Sequence, residues 1–212
     1  MKAEVPQLPV PVSIQGPWEL EFPKNLGAPD HVTLDQLISW TEHSDPGVKY
    51  FSGTATYRNR FTLPSGMQGQ DRRLYLDLGH VSVIARVVLN GKDLGVLWKP
   101  PFMIDVTAAV AAESNDLEIK VVNLWPNRLI GDEQLPEDCE WGTPLTSNDP
   151  FPASLGLPIA SWPQWLLENK PRPSGRIAFP TWKHWFKDDP LLESGLVGPV
   201  RIFAKAKIRL AS

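Results

Sequence analysis

Aromatic and hydrogen-bonding residues gather at three places along the chain, and at each place they could hold a sugar. The first is the run Trp182-Lys183-His184-Trp185, with two indole rings three residues apart. An indole face can stack on the apolar C–H face of a sugar ring, while His184 or Lys183 can hydrogen-bond the sugar hydroxyls. In a helical turn both rings share one face, whereas in a strand they point to opposite sides. The alternative is that both tryptophans anchor a long connection to the core.

The second place holds Trp125, Asn127 and Arg128, directly after an apolar run. Asparagine and arginine present fixed donors that suit sugar hydroxyls, and arginine can also hold a carboxylate with two hydrogen bonds. The alternative is an internal ion pair of Arg128 with Asp132 or Glu133, which would fix the path of the loop while Trp125 caps the core. The sequence leaves both interpretations open.

The third place is Trp98-Lys99, which lies between two predicted strands. Loops at the end of a rigid sandwich are common positions for binding sites. The alternative is a turn stiffened by Pro100 and Pro101 that binds nothing. A carbohydrate is therefore the ligand that the residue types favour, and its position is open among the three places.

Catalytic and metal-binding motifs are not recognisable in the sequence. Glycoside hydrolysis needs two carboxylates that face each other at roughly 5–9.5 Å, and the sequence identifies no such pair. The four histidines fall in no metal-binding or catalytic-triad pattern. One acidic run lacks the spacing of an EF-hand loop, which favours a solvated loop. It consists of Asp132, Glu133, Glu137, Asp138 and Glu140. We predict no catalytic residue and no metal ligand.

The composition excludes several classes of partner. The chain has 212 residues, 42% of them hydrophobic, and a net charge of −3 with its Lys and Arg scattered. A nucleic-acid partner would require a basic stripe, so we predict none. No apolar run reaches transmembrane length, so we predict no membrane partner. The single cysteine, Cys139, allows no intrachain disulfide.

Alternating apolar residues predict an all-β fold, an antiparallel β-sandwich of the jelly-roll type with a few short helices. Asn90-Gly91 indicates a type I′ hairpin turn. A helix is predicted over residues 33–40 and helical turns over 107–110 and 164–169. Strands are predicted over residues 16–22, 54–63, 73–78, 81–89, 93–98, 102–106, 116–124 and 200–210.

Two segments fall outside this regular pattern. Residues 1–15 are rich in alternating prolines and are predicted to be a linker, so that the domain covers residues 16–212. Residues 125–199 contain six of the nine tryptophans and no alternating pattern. We interpret them as a long Trp/Pro-rich insertion that wraps over the sandwich, with the last strand pairing with early strands.

Several motifs resemble known domains. Five stretches resemble the galactose-binding-like jelly-roll domain attached to glycoside hydrolases: GTATYR at 53–58, LDLG at 76–79, VLNGKDLG at 88–95, FMIDVT at 102–107 and NDLEI at 115–119. Three others are more specific: WTEHSDPG at 40–47, NLWPNRLIGD at 123–132 and WKHW at 182–185. When all eight stretches are taken together, the chain resembles the C-terminal domain of large bacterial α-L-rhamnosidases of glycoside hydrolase family 106.

The resemblance implies a non-catalytic domain, because in that family a separate barrel carries the acid and base. That barrel uses calcium, which leaves calcium as the one metal to consider. The first hypothesis is a carbohydrate-binding module for rhamnose-containing or related glycans of plant or microbial origin. The second is a structural domain that packs on the catalytic domain of the same parent chain. An autonomous glycoside hydrolase is the least favoured. The parent is expected to be secreted or periplasmic.

Overall fold

The computed structural model describes residues 7–143 and 156–207, and most of the regular elements in them are strands. The helical elements are a 3-10 turn at Trp40–Glu42 and the short helices α1 (Pro46–Lys49), α2 (Pro126–Asp132) and α3 (Gln164–Leu167). The strands are β1 (Val12–Ser13), β2 (Trp18–Glu21), β3 (His31–Leu34), β4 (Thr54–Thr62), β5 (Arg72–Asp77), β6 (His80–Ser82), β7 (Ile84–Leu89), β8 (Lys92–Leu97), β9 (Met103–Asp105), β10 (Ser114–Val122), β11 (Leu157–Pro158), β12 (Trp182–Lys183), β13 (Gly195–Gly198) and β14 (Arg201–Ala206).

Two antiparallel sheets make up the sandwich. One has six strands in the order β3-β2-β4-β10-β7-β8, and the other has four in the order β1-β14-β5-β9. Two small sheets, β11-β12 and β13-β6, lie beside them. This architecture confirms the predicted all-β sandwich. The last strand, β14, pairs with the early strands β1 and β5, as its isolation in the sequence predicted.

The core between the two sheets follows from the alternation of each strand. In β10 the side chains of Leu117, Ile119 and Val121 are buried, while the residues between them face outward. The opposite sheet contributes Leu76 and Ile202, which are paired in neighbouring strands and fully buried. These side chains belong to one continuous apolar cluster, which fixes the register of every strand that contributes to it.

The predicted helix over residues 33–40 is wrong. Residues 31–34 form β3, which pairs with β2, and only Trp40–Glu42 makes a 3-10 turn. Val32 lies opposite Leu20, and Thr33 lies opposite Glu19 and donates a hydrogen bond to its carboxylate. Strand pairing therefore outweighs the helical spacing of the leucines in this segment, since tertiary contacts override a weak local preference.

Two further predictions of regular structure need correction. The strand predicted over residues 81–89 is divided, because β6 pairs with β13 in a separate sheet while β7 stays in the six-stranded sheet. The insertion also contains regular elements that its sequence did not reveal, namely α2, β11, β12 and β13, in addition to the predicted helical turn α3. The short strands have only two to four residues, too few for a detectable alternation.

The N-terminal boundary also differs from the predicted one at residue 16. Val12 and Ser13 pair with β14, and the N–H of Ile14 donates to the carbonyl of Val200 at 2.9 Å. The side chain of Ile14 is buried in the core cluster. The sandwich thus includes the last residues of the segment predicted as a linker, because a strand pair and an apolar contact hold them.

Candidate functional site

The chain enters the insertion at α2, which is fixed tightly to the sandwich. Pro126 stands at the start of the helix, where its missing N–H costs nothing. The Arg128 guanidinium donates through Nε to the carbonyl of Tyr50 at 2.9 Å. A Cβ at Gly131 would lie 2.5 Å from the Cβ of Tyr50, so only glycine permits this approach. Both the hydrogen bond of Arg128 and the close approach at Gly131 therefore hold the helix against Tyr50.

Asn127 and Arg128, predicted as sugar contacts, make their hydrogen bonds inside the fold. Asn127 is 2% exposed; its amide donates to the carbonyl of Leu192 at 2.6 Å and accepts from the N–H of Leu192 at 2.8 Å. Arg128 is 7% exposed, and its guanidinium lies 3.6 Å from the carboxylate of Asp132. The internal Arg128–Asp132 contact, the alternative interpretation, is present. Both side chains position the ends of the insertion.

Trp182, His184 and Trp185 come together at one cleft beside α2. The two indoles are half-buried and the imidazole is exposed. The cleft has a cavity volume of about 10 Å³, which is enough for roughly one water molecule. A sugar ring cannot enter it in this conformation and could only lie across its mouth. Its other polar lining residues are Asp132, Glu133, Arg176 and Lys183.

Ion pairs close this cleft. Arg176 donates to Glu133 at 2.7 Å, and the ammonium of Lys183 lies 2.6 Å from the other oxygen of the same carboxylate. A second carboxylate, Glu137, also accepts from Lys183. Burial lowers the pKa of Lys183, but the hydrogen bonds to Glu133 and Glu137 outweigh it, so the pKa lies above its ordinary value. Charged Lys183 therefore links its own segment of the insertion to the segment that contains Glu133 and Glu137.

Asp132 occupies the floor of the cleft. One of its oxygens accepts from the backbone N–H groups of Ile177 and Ala178, at 3.0 and 2.7 Å. The other oxygen is buried and, within residues 7–143 and 156–207, accepts no hydrogen bond. Burial raises the pKa of Asp132 above its ordinary value in spite of these contacts. The carboxylate ties residues 177–178 of the insertion to α2.

A second buried ion pair lies nearer the middle of the insertion. The carboxylate of Asp138 accepts from Arg172, with one N–O distance of 3.1 Å, and from the hydroxyl of Ser174. Its backbone carbonyl accepts from the indole N–H of Trp165 at 2.9 Å. The Arg172 guanidinium lies over Trp165 and Phe179, at 5.4 and 5.7 Å from the ring centroids. Arg172 and Asp138 thus join three segments of the insertion.

Trp98 and Trp125 are the two predicted site tryptophans that the structure leaves exposed. Their side chains are 66% and 65% exposed, and the ammonium of Lys99 lies 5.3 Å from the Trp98 ring centroid. They lie at one end of the six-stranded sheet together with other exposed apolar residues. We name this surface the end patch, and it consists of Ile84, Val96, Trp98, Val122, Leu124 and Trp125.

Strand register shows that Ile84, Trp98 and Val122 of the end patch are neighbours on the outer face of the sheet. Val122 of β10 lies directly opposite Ile84 of β7. The next residue of β7, Ala85, lies opposite Leu97 of β8, so Trp98 follows beside Ile84 on the outer face. Adjacent strands are about 4.8 Å apart, which places the ends of β8 and β10 roughly 10 Å from each other. The predicted site residues therefore lie in three places. Three lie at the cleft, Trp98 and Trp125 lie on this patch with Lys99 beside Trp98, and Asn127 and Arg128 are buried within the fold.

Two arginines that form ion pairs within the insertion were not predicted from the sequence. Arg172 and Arg176 stand in a Pro- and Gly-rich run whose pattern indicates only a loop.

Among the described residues no group of three or more His, Cys, Asp or Glu side chains could hold a metal ion. No helix in the same residues is long and apolar enough to cross a membrane.

The family described as "Glycosyl hydrolase 2 galactose-binding domain-like" matches residues 36–150, which is just over half of the chain. The chain therefore belongs to this family of galactose-binding-like domains. This finding confirms the predicted class of domain, while the finer assignment to family 106 stays a prediction.

Individual relatives agree on the glycosidase context. A Formosa agariphila protein named as a candidate beta-glucuronidase is 48% identical over 202 residues, covering 95% of this chain and 16% of that protein. A rhamnosidase from Novosphingobium sp. PP1Y superposes with a TM-score of 0.68 at 32% identity, over 97% of this chain and 15% of its own. The beta-D-glucuronidase of Dictyoglomus thermophilum, with a TM-score of 0.56 at 16% identity over 97% of this chain and 30% of its own, shares the fold alone. This chain spans only 15–16% of the first two proteins.

Proposed function

We propose that this domain is a non-catalytic module of a glycoside hydrolase and that it packs against the catalytic part of the same enzyme through the end patch. The parent enzyme acts on glycans that contain L-rhamnose or glucuronic acid. The names of the two relatives that match nearly the whole chain support this substrate class. The small share of each relative that the chain spans supports a partner within the same polypeptide.

The exposed end patch is the observation that carries the docking proposal. Monomeric soluble proteins rarely leave large contiguous apolar surfaces in water, and such surfaces mark contacts with other proteins or domains. Trp98 and Trp125 are both about two-thirds exposed, so each leaves much of a large apolar indole ring in contact with water. Tryptophan is enriched among the residues that dominate binding energy at interfaces. A neighbouring domain that covered both rings would remove this apolar surface from water.

The test compares amide hydrogen exchange in the 212-residue chain and in the parent enzyme. We expect residues 83–85, 96–98 and 122–125 to exchange more slowly in the parent, because the docked domain excludes water from them. The double substitution Trp98→Ser and Trp125→Ser should reduce this difference. Trp162→Ser is the matched control, since Trp162 is also exposed but lies outside the end patch. Equal exchange of these residues in both proteins would contradict docking.

A second candidate function is carbohydrate binding across the mouth of the cleft. The observation that favours it is the convergence of Trp182, His184 and Trp185 with the Glu133–Lys183 ion pair. Half-buried ring faces beside fixed charged groups suit a sugar such as rhamnose. Binding should change tryptophan fluorescence on titration with L-rhamnose and be lost in Trp185→Ala. A fluorescence signal that does not saturate, in a chain that remains folded, would exclude this function.

A further inference from the structure

We propose that a second groove of the insertion binds a neutral glycan, with Trp162 as its stacking platform. The groove runs between residues 137–140 and 161–165 and has a volume of about 520 Å³. Ligand-binding pockets commonly measure about 300–1,000 Å³. It shares no lining residue with the cleft at Trp182 and Trp185, or with the end patch. Glycan binding in this groove is therefore independent of docking through the end patch.

The Trp162 ring is exposed and is held in place by neighbouring aromatic residues. Trp162 is 55% exposed, and its ring packs against Phe179 at 6.3 Å between centroids. Phe179 in turn packs against Trp165 in a T-shaped arrangement with 5.5 Å between ring centroids, and the indole N–H of Trp165 donates to the Asp138 carbonyl. An aromatic face that is already held in place loses little entropy when a ligand stacks on it. One face of Trp162 is therefore available to a sugar ring at low cost.

The two walls of the groove are tied together. The N–H of Ala160 donates to the carbonyl of Glu140 at 2.9 Å, just before the wall that contains Trp162. The Arg172–Asp138 ion pair and the bond from Trp165 hold the opposite wall. The groove is thus formed before a ligand arrives, which is the usual state of small-molecule sites.

The polar rim selects for the charge of the ligand. Glu137, Glu140 and the amide of Gln164 line the groove and offer acceptors and a donor for hydroxyl groups. The Asp138 carboxylate is neutralised by Arg172, and the described lining residues include no lysine or arginine. Glu137 is paired with Lys183, but Glu140 has no ion-pair partner among the described residues. A uronic acid would bring its carboxylate close to Glu140, and like charges repel. The rim therefore favours a neutral sugar such as a deoxyhexose over a glucuronate.

The decisive experiment measures binding of the 212-residue chain to a panel of neutral oligosaccharides, including rhamnose-terminated ones, by calorimetry and tryptophan fluorescence. A matched pair, methyl β-D-glucoside and methyl β-D-glucuronide, isolates the effect of one carboxylate. We expect saturable binding of at least one neutral glycan, with the glucuronide at least ten-fold weaker than the glucoside. High salt should narrow that gap, because it screens the repulsion.

Three variants assign the binding to this groove. Trp162→Ala should weaken binding at least ten-fold, and Trp162→Tyr should retain part of it. Val10→Ala, at an exposed residue outside the groove, the cleft and the end patch, should leave binding unchanged. Folding of each variant is checked by thermal melting. Binding of the glycan should also protect Cys139, which lines the groove, from a maleimide. No saturable binding to any member of the panel would overturn the proposal. So would a glucuronide bound as tightly as the glucoside, or binding that is lost in Trp185→Ala and kept in Trp162→Ala.

Discussion

The sandwich and the insertion are stabilised by different interactions. The sandwich is held by apolar side chains that alternate along its strands and meet in one cluster. In the described part of residues 125–199 only Ile130, Pro163, Ala178 and Leu196 are buried apolar side chains, too few for a second core. Buried ion pairs and side-chain contacts to the backbone take their place. Such interactions depend on direction and pH, whereas apolar burial depends mainly on area.

The largest effect should follow a cavity in the sandwich. Leu76 is fully buried in β5, between Ile104 of β9 and Ile202 of β14. Leu76→Ala removes apolar contacts and leaves a void, which costs roughly 2–5 kcal/mol of the free energy of unfolding. Urea denaturation followed by circular dichroism measures this loss. A small loss with an unchanged slope would mean that the sandwich can repack around the void, unlike a closely packed core.

A smaller and local effect is expected in the insertion. Asp138→Asn keeps the shape of the side chain but removes the charge that Arg172 and Ser174 contact. The Asp138 side chain is 1% exposed, so its partners are left poorly satisfied at a cost of about 1–3 kcal/mol. Hydrogen exchange should accelerate over residues 136–143 and 161–179, with little change in β4 or β10. Uniform acceleration throughout the sandwich would show that the two regions unfold together.

Acid should reproduce this effect in the unmodified chain. Burial raises the pKa of Asp138, but hydrogen bonds from Arg172 and Ser174 outweigh it and hold the pKa below its ordinary value. The stabilisation is therefore present above the ordinary aspartate pKa and is lost as the pH falls through the lower, folded-state value. After correction for intrinsic rates, exchange in the insertion should accelerate below about pH 4 and stay level in Asp138→Asn. Asp132 should have the opposite pH dependence, because burial raises its pKa and the cost of burying its charge is relieved as the pH falls. Asp132→Asn removes this contribution and serves as the control.

The same difference explains what could be predicted from the sequence. The strand β10 and the Asn90-Gly91 turn were predicted because alternation and positive φ angles are local properties, and the observed φ values of 52° and 75° agree. The partners Arg172 and Asp138 lie 34 residues apart, and no local pattern joins them. Asn127 and Arg128 have the residue types of a sugar site, but only the fold shows that their donors are used internally.

The smallest effect should come from an ion pair on the outer face of the sandwich. Arg60 of β4 donates to Asp116 of β10 at 2.7 Å, in geometry as good as that of the buried pair in the insertion. Both side chains are largely exposed, so water and salt compete with the contact, and ordering two long side chains offsets much of the attraction. Arg60→Gln should therefore leave the urea midpoint unchanged within error, at low and at high salt. A loss comparable to that of Asp138→Asn would mean that hydrogen-bond geometry, and not burial, determines how much a charged pair stabilises this fold. An unchanged midpoint would assign the electrostatic stabilisation to the insertion, where the charges are removed from water and where the proposed glycan groove depends on them.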